Sequence, residues 1–476
     1  SSLMGHPYPV TGRYSYISMG FSEEVRGAAE TIRNAETVSV ISHIDADGIT
    51  SEAIVRTAIA RAGVPVTSHF VRQLEPLTMK AVPEDDSLKV FVDLGAGQQN
   101  LLEERGLSVD EVLILDHHVA QPCETPYQQV NGVPYGHTKL SAAGVAYFVA
   151  RELDSANVDL AKIAIVGNVG DMMARETLGL VGLAAEIVED GIAHGSVLAI
   201  RKDLNCYGTS TRPVHVCLSY NDDPRIPGIT NDMRGAERFL SRLDVASKTV
   251  DGRYRVWEEL GRDEKKAITS ALVQQLLANG ESVDRLFAES YIFVDEPERS
   301  PLRNASEFAT LLNACGRWAK PRIGSSVCCG DRGTVYREAE YMLNNHRTII
   351  RELLGFILET GVTELSHLQY LHVGDRYPDT IVGIGAGMAL GKLNWRKPIL
   401  IMCTLPEDPT LTKVSMRTNE WSVRRGVDLQ AVLTLASGEY GGGGGGHPIA
   451  AGAFIPRDAE EVFINRVNEL LRDQLA

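Results

Sequence analysis

No stretch of this chain approaches the roughly 18 consecutive apolar residues of a membrane-crossing helix. No secretory leader is legible either, so no membrane partner is expected. Cysteine is sparse, at positions 123, 206, 217, 315, 328, 329 and 403. The number is odd and no C-x-x-C pair occurs, so neither a disulfide framework nor a cysteine zinc site is suggested. That usage fits a reducing cytoplasm, and the adjacent Cys328-Cys329 pair reads as strand packing rather than redox chemistry. No period of 20–50 residues recurs, so the chain is not a solenoid. Basic charge is in deficit: the net charge is −15, which argues against indiscriminate binding to duplex backbone but leaves room for a local basic channel. With 476 residues, of which 44% are hydrophobic, the chain can bury two or three separate cores.

What is present is a set of polar strand ends. Glu111-Val-Leu-Ile-Leu115 is a short apolar run that breaks into Asp116-His117-His118. Val38–Ser42 runs into His43-Ile-Asp45-Ala-Asp47-Gly48, and Lys89–Val92 into Asp93-Leu-Gly-Ala-Gly97. Lys162–Val166 runs into Gly167-Asn-Val-Gly170-Asp171. Read as buried parallel strands, the four runs would bring their carboxylates and imidazoles together at carboxyl ends, where open α/β sheets bind ligands. Oxygen donors with a few imidazoles suit hard or borderline divalent ions such as Mn²⁺ or Mg²⁺. The set is large enough for two metals sharing a carboxylate, about 3.5–4 Å apart as in phosphoryl-transfer sites. The alternative is a set of capped strand ends.

In chain order, residues 1–20 are read as a flexible arm. Phe21–Asn34 reads as a helix capped by Ser22, and Thr50 or Ser51 can cap the next. Thr67–Val71 is a further strand, Ser141–Leu153 a buried helix and Glu176–Asp190 another helix. Strands alternating with helices predict a doubly wound parallel α/β sheet over 21–195. Residues 196–290 form a connecting or inserted helical segment, with helices near Arg234–Leu243 and Asp263–Asn279. Its Arg238, Arg242, Lys248, Arg253 and Arg255 fit solvated helix faces better than a nucleic-acid path. A smaller α/β domain covers 291–476, with a strand from Tyr291, a helix Ser306–Arg317 capped by Ser306 and ended by Gly316, and a long helix Arg337–Thr360. Strands follow near Thr380–Ile384 and Pro398–Cys403.

Two motifs in this second half can meet a phosphate. Val414-Ser415-Met-Arg417 puts a hydroxyl and a guanidinium on one face of a strand; alone it would read as a surface strand pair. Gly441–Gly446, including Gly445 and Gly446, precedes His447-Pro-Ile-Ala-Ala-Gly452. A glycine run is usually a linker, but one followed at once by a histidine and a small-residue, helix-like stretch can form a backbone cradle.

Taken together, Asp45-Ala-Asp47-Gly48, Asp93, Asp116-His117-His118 and Gly170-Asp171 resemble the motifs of the DHH phosphoesterase superfamily, in order. Ser415-x-Arg417 with Gly-Gly-Gly-His447-x-x-Ala-Ala-Gly452 resembles its DHH-associated C-terminal domain. The Asp45-Ala-Asp47-Gly48 form looks like the RecJ branch. The Leu-Leu-Asn-Ala-Cys-Gly-Arg317 run looks like archaeal RecJ-like nucleases, including the type associated with the GINS replication complex. The resemblance implies two divalent metals, Mn²⁺ ahead of Mg²⁺, held by Asp45, Asp47, Asp93, His117 and Asp171, with Asp93 as bridge and His43 a doubtful ligand. It implies His118, Asp116 and Asp93 as catalytic, Asp116 orienting a histidine. Ser415, Arg417, Gly445, Gly446 and His447 would bind substrate. The implied activity is two-metal hydrolysis of single-stranded DNA or RNA in replication or repair. Alternatives are a phosphodiesterase for short or cyclic oligonucleotides and a GINS-binding replication component with secondary nuclease activity.

Overall fold

The computed structural model describes residues 19–74, 78–123, 126–405 and 408–476, so most of the arm expected over 1–20 lies outside the described residues. The chain forms two compact units. The first takes in the described residues up to Val214, then Tyr254–Gly261 and Phe287–Leu343; the second takes in His215–Arg253, Arg262–Leu286 and Asn344–Ala476.

The first unit is built on five parallel strands: β1 (Val38–His43), β2 (Val66–Val71), β3 (Leu88–Val92), β4 (Val112–Leu115) and β5 (Gln128–Val130). Their order is β2-β1-β3-β4-β5. Alternate residues serve opposite faces. Val40, Val90 and Leu113 enter a large core with the helices Ala46–Arg61, Ala142–Leu153 and Ala161–Gly170, whereas Ile41, Phe91 and Ile114 enter a smaller one with Met79 and Leu102. A sheet covered on both faces has continuous apolar strands, which is why these runs were readable. The strand order reverses between β1 and β3, and it is outside the carboxyl ends at such a point that open α/β sheets bind ligands.

The fourth apolar run departs from expectation. Lys162–Val166 lies in the helix Ala161–Gly170, and Asp171 is its C-cap. A short apolar run cannot be told from a buried helix by periodicity. The small residues suit the helical form, since a Cβ on Gly167 would lie 2.3 Å from Ala143 Cβ. Glu176–Asp190 is also corrected: the helix is Leu183–His194. Asn304 rather than Ser306 caps Ala305–Arg317, and Ser22 lies inside Met19–Asn34.

The boundaries 21–195, 196–290 and 291–476 do not match the compact units. Two strands, β6 (Val197–Leu204) and β7 (Phe287–Phe293), pair antiparallel, and Phe308, Leu311 and Leu312 bury into the first core. Residues 287–343 are therefore held in the first unit by apolar burial.

The second unit carries a six-stranded sheet. Its members are β8 (Thr363–Glu364), β9 (Gln369–His372), β10 (Ile399–Leu405), β11 (Asp408–Arg417), β12 (Gly443–His447) and β13 (Ala450–Pro456), in the order β12-β13-β11-β10-β9-β8. Residues 380–384, expected as a strand, lie in the helix Asp379–Leu390, which packs on Ile399, Ile401 and Cys403. The glycine run and the stretch after it form a hairpin of β12 and β13, so the stretch expected as helix-like is a strand. A Cβ on Gly442, just before β12, would meet Phe454 O at 2.0 Å, so the chain enters that strand only with glycine there.

Candidate metal centre

Each acidic side chain beyond the carboxyl ends of β1, β3 and β4 is set by local backbone. Asp45 caps the helix Ala46–Arg61, accepting from Gly48 N at 2.8 Å, so neither Thr50 nor Ser51 is the cap. Position 48 must be glycine because a Cβ would lie 2.3 Å from His43 O. Asp47 is buried and accepts from Ala142 N and Ala143 N, both at 2.9 Å, at the start of the Ala142–Leu153 helix. A helix N-terminus favours that negative charge.

Asp93 follows β3 with φ 60, a left-handed conformation rarely taken by a residue with a Cβ. Its N–H donates to Leu115 O, which holds the turn. Asp116 is fully buried; it accepts from Ala96 N at 3.1 Å and His117 N at 2.8 Å, and His118 Nδ1 lies 2.7 Å away. Asp116 thus holds Nδ1 of an exposed His118.

The groups converge on Asp93. His117 Nε2 lies 3.2 Å from Asp93 Oδ1, 3.4 Å from Asp171 Oδ2 and 3.5 Å from Asp47 Oδ2. His43 Nδ1 lies 3.1 Å from Asp45 Oδ2 and 3.5 Å from Asp93 Oδ2. Donor atoms able to share one cation group as His43, Asp45 and Asp93; as Asp47, His117 and Asp171; and as Asp93, Asp116, His117 and His118. His43, doubtful on the sequence, stands inside the cluster.

The donor set fits divalent cations. Asp171 Oδ2 is buried with no hydrogen-bond partner. Burial, reinforced by neighbouring carboxylates, holds Asp93 and Asp171 well above the usual carboxylate range and pushes Asp47 up. Burial opposes ionisation of Asp45 too, but the charge of His43 and its hydrogen bond outweigh it and bring Asp45 down. Burial also works against charge on His43 and His117, and the surrounding aspartates raise both. So many carboxylates without a compensating cation is a high-energy arrangement; oxygen and imidazole donors are those that Mn²⁺ and Mg²⁺ accept.

The run ending at Arg317, noted in the sequence as a family likeness but given no role in the site, also reaches it. Asn313 Oδ1 accepts from Ala46 N at 2.8 Å, and Gly316, inside its helix, packs so tightly that a Cβ would lie 1.9 Å from Ile44 O. Arg317 is thereby held near Asp45; burial pulls its guanidinium down to about 10, against the pull of Asp45. The contact joins segments far apart in sequence, and no local pattern encodes it.

The expected substrate residues gather in the second unit. Ser415, Gly452 and Gly445 stand in register across β11, β13 and β12, and Arg417 and His447 flank Ala450. Gly446 has φ +135 and lies beside Ala450 and Ala451. Arg417 Nη1 donates to Met416 O at 2.8 Å, and its guanidinium fits over Gly383, where a Cβ would come within 2.2 Å of Nη2.

Residues 37–174 match the DHH family, N-terminal domain; residues 206–287 match the DHH-CID domain and residues 367–473 the DHHA1 domain. The chain is 26% identical to an uncharacterised protein of Methanocaldococcus jannaschii, covering 92% of this chain and 94% of that protein. It is 26% identical to the single-stranded-DNA-specific exonuclease RecJ of Thermus thermophilus over 47% of this chain and 35% of that protein. Among solved structures, Thermus thermophilus RecJ in complex with Mn²⁺ superposes with TM-score 0.57 at 17% identity, over 96% of this chain and 56% of that one. CDC45 from Entamoeba histolytica superposes with TM-score 0.62 at 12% identity, over 95% and 99%.

Proposed function

We propose that this chain, which belongs to the DHH superfamily and has a RecJ-like fold, is a metal-dependent phosphodiesterase acting as an exonuclease on single-stranded nucleic acid. The observation that carries the reading is Asp93, whose two carboxylate oxygens face two separate histidine–aspartate groups. Two divalent ions bound there supply activation of water and neutralisation of phosphate charge.

The protein's residues divide the remaining work. Asp45, Asp47, Asp93, His117 and Asp171 would hold the ions, and His43, grouped with Asp45 and Asp93, would join them. Asp116 fixes Nδ1 of His118, which leaves Nε2 of that exposed ring for a phosphate oxygen. Arg317 balances phosphate charge beside Asp45. Ser415, Arg417, Gly445, Gly446 and His447 bind the strand's phosphates, an assignment supported by their register on the DHHA1-matching sheet.

The test is incubation with Mn²⁺ and end-labelled single strands of DNA and RNA, beside an Asp93→Ala control. Stepwise shortening that the substitution abolishes supports the exonuclease and reports its polarity and sugar preference. Cleavage of short or cyclic oligonucleotides alone would move the assignment to a small-substrate phosphodiesterase. No metal-dependent cleavage overturns both. The likeness to CDC45 across nearly the whole chain supports a second reading, a replication-complex component that retains nuclease chemistry; failure to co-purify with GINS proteins would remove it.

A further inference from the structure

Two of the four tryptophans of the chain lie side by side in the second unit, among arginines. The rings of Trp395 and Trp421 are 5.2 Å apart, at 78°. Arg225 and Arg396 lie 4.9 and 4.6 Å from the Trp395 ring centre, and Arg425 lies 3.6 Å from that of Trp421. Both rings are half-buried, and Arg396 and Arg425 are exposed.

The arrangement is held from behind. Asn419 Nδ2 donates to Trp395 O at 2.7 Å, and Gln369 Nε2 donates to Asn394 O and Lys397 O at 2.7 and 2.9 Å. Asp223, two residues before Arg225, is 2.5 Å from Arg285 Nε and 3.6 Å from Arg424 Nη2. Asn231 Nδ2 ties the same region to Gly391 O at 2.9 Å. The backbone that carries Trp395 is therefore tied down on both sides.

The patch is short of anions. Among the described residues Arg225, Arg396 and Arg425 form no salt bridge. Burial pulls the Arg225 guanidinium down; Asp222 opposes this and the charge of Arg396 adds to it. In a chain of net charge −15, three guanidiniums on two indoles, with Asp222 acting on Arg225 but no salt bridge to any of them among the described residues, can take an external anion that also has flat faces. Bases stack on indoles and on guanidinium planes, and phosphates take arginine bidentately. A duplex hides its bases from such a surface; a single strand presents them.

We propose that Trp395 and Trp421, with Arg225, Arg396 and Arg425, form a binding surface for single-stranded nucleic acid, separate in its residues from the metal centre. It rests on the strand-substrate reading and adds a holding site for the strand.

The test measures binding and cleavage separately. Binding of a labelled oligothymidylate and an oligouridylate of about 20 nucleotides is followed in EDTA by anisotropy and by tryptophan quenching. The wild type is compared with Trp395→Ala/Trp421→Ala and with Arg225→Gln/Arg396→Gln, which keeps both rings. Each pair should weaken binding at least about 10-fold, and the arginine pair should make the salt dependence shallower by about one unit of log–log slope. The ratio of long-strand to dinucleotide kcat/KM should fall in both. Wild-type affinity and slope in the arginine pair, with melting temperature retained, would overturn the surface while leaving the exonuclease standing. Tryptophan-dependent binding without any cleavage would keep the surface and sink the exonuclease. Competition by an acidic polypeptide equal to that by oligonucleotide would reassign the patch to a protein partner and overturn the proposal. A stronger loss for one sugar type names the strand it holds.

Discussion

Asp93 Oδ1 lies 3.2 Å from His117 Nε2, while the other oxygen of the same carboxylate faces His43 at 3.5 Å. A single residue in a left-handed backbone conformation thus joins two sets of donors that reach it from different strands and helices. Such a conformation costs about 1–3 kcal/mol and persists where surrounding contacts impose it.

Removing that carboxylate should remove the shared ligand. Asp93→Ala is expected to lower metal-dependent hydrolysis by at least about 10³-fold, more than the loss of a single oriented hydrogen-bond donor. Calorimetric titration with Mn²⁺ should show fewer sites. Wild-type stoichiometry in the variant would refute the bridging position.

Asp116 acts through its neighbours, accepting from Ala96 N and His117 N and fixing His118. Asp116→Asn should cost about 10–100-fold in activity or metal affinity, the usual scale for groups that orient ligands. A pH–rate profile distinguishes this from plain unfolding, because the limb due to His118 should shift.

The raised carboxylates dictate how stability varies with pH without metal. A carboxyl group whose folded pKa exceeds its unfolded value binds more protons when folded, so stability falls as pH rises from the unfolded value through the folded one. Asp93 and Asp171 are both raised. Metal-free protein should therefore be less stable at neutral pH than the carboxylates' protonated state would allow. The rise in melting temperature on adding Mn²⁺ should shrink as pH falls, and metal-free Asp93→Asn should gain about 1 kcal/mol at neutral pH. A calorimetric series with and without EDTA checks all three.

Glycines 316 and 383 should fail in different ways. A Cβ at 316 would strike the Ile44 carbonyl at 1.9 Å, and one at 383 would meet the far end of Arg417 at 2.2 Å. Gly316→Ala should destabilise by about 1–3 kcal/mol, read as a fall in urea midpoint. Gly383→Ala should leave the midpoint near wild type, because the guanidinium can move, and should raise KM for strand substrates. Equal effects on both readouts would contradict the assignment of Arg417 to substrate.

Legibility in the sequence followed the range of the interaction. The strand ends carrying Asp45, Asp93 and Asp116 were readable because continuous apolar runs mark a sheet covered on both faces. Asp171 was found as a residue but given the wrong element, since four or five apolar residues fit a buried helix equally well. The strand β12 escaped because glycine has no strand preference; its pairing is set by β13 and by backbone approaches only glycine permits. Arg317 escaped because its placement depends on Asn313 meeting Ala46, a contact that closes late in the chain.

The three-part make-up of the first unit also bears on biosynthesis. Its core needs Phe293, Phe308 and Leu312 as well as β1 to β5. A ribosome adding about 5–20 residues per second therefore exposes the sheet for some time before its last packing partners emerge. During that interval the segment matching the DHH domain has Asp45, Asp47, Asp93, His117 and Asp171 but lacks Asn313 and Arg317. Nascent chains halted before residue 287 should remain protease-sensitive and chaperone-bound, and those halted well past 343 should release as a protected fragment.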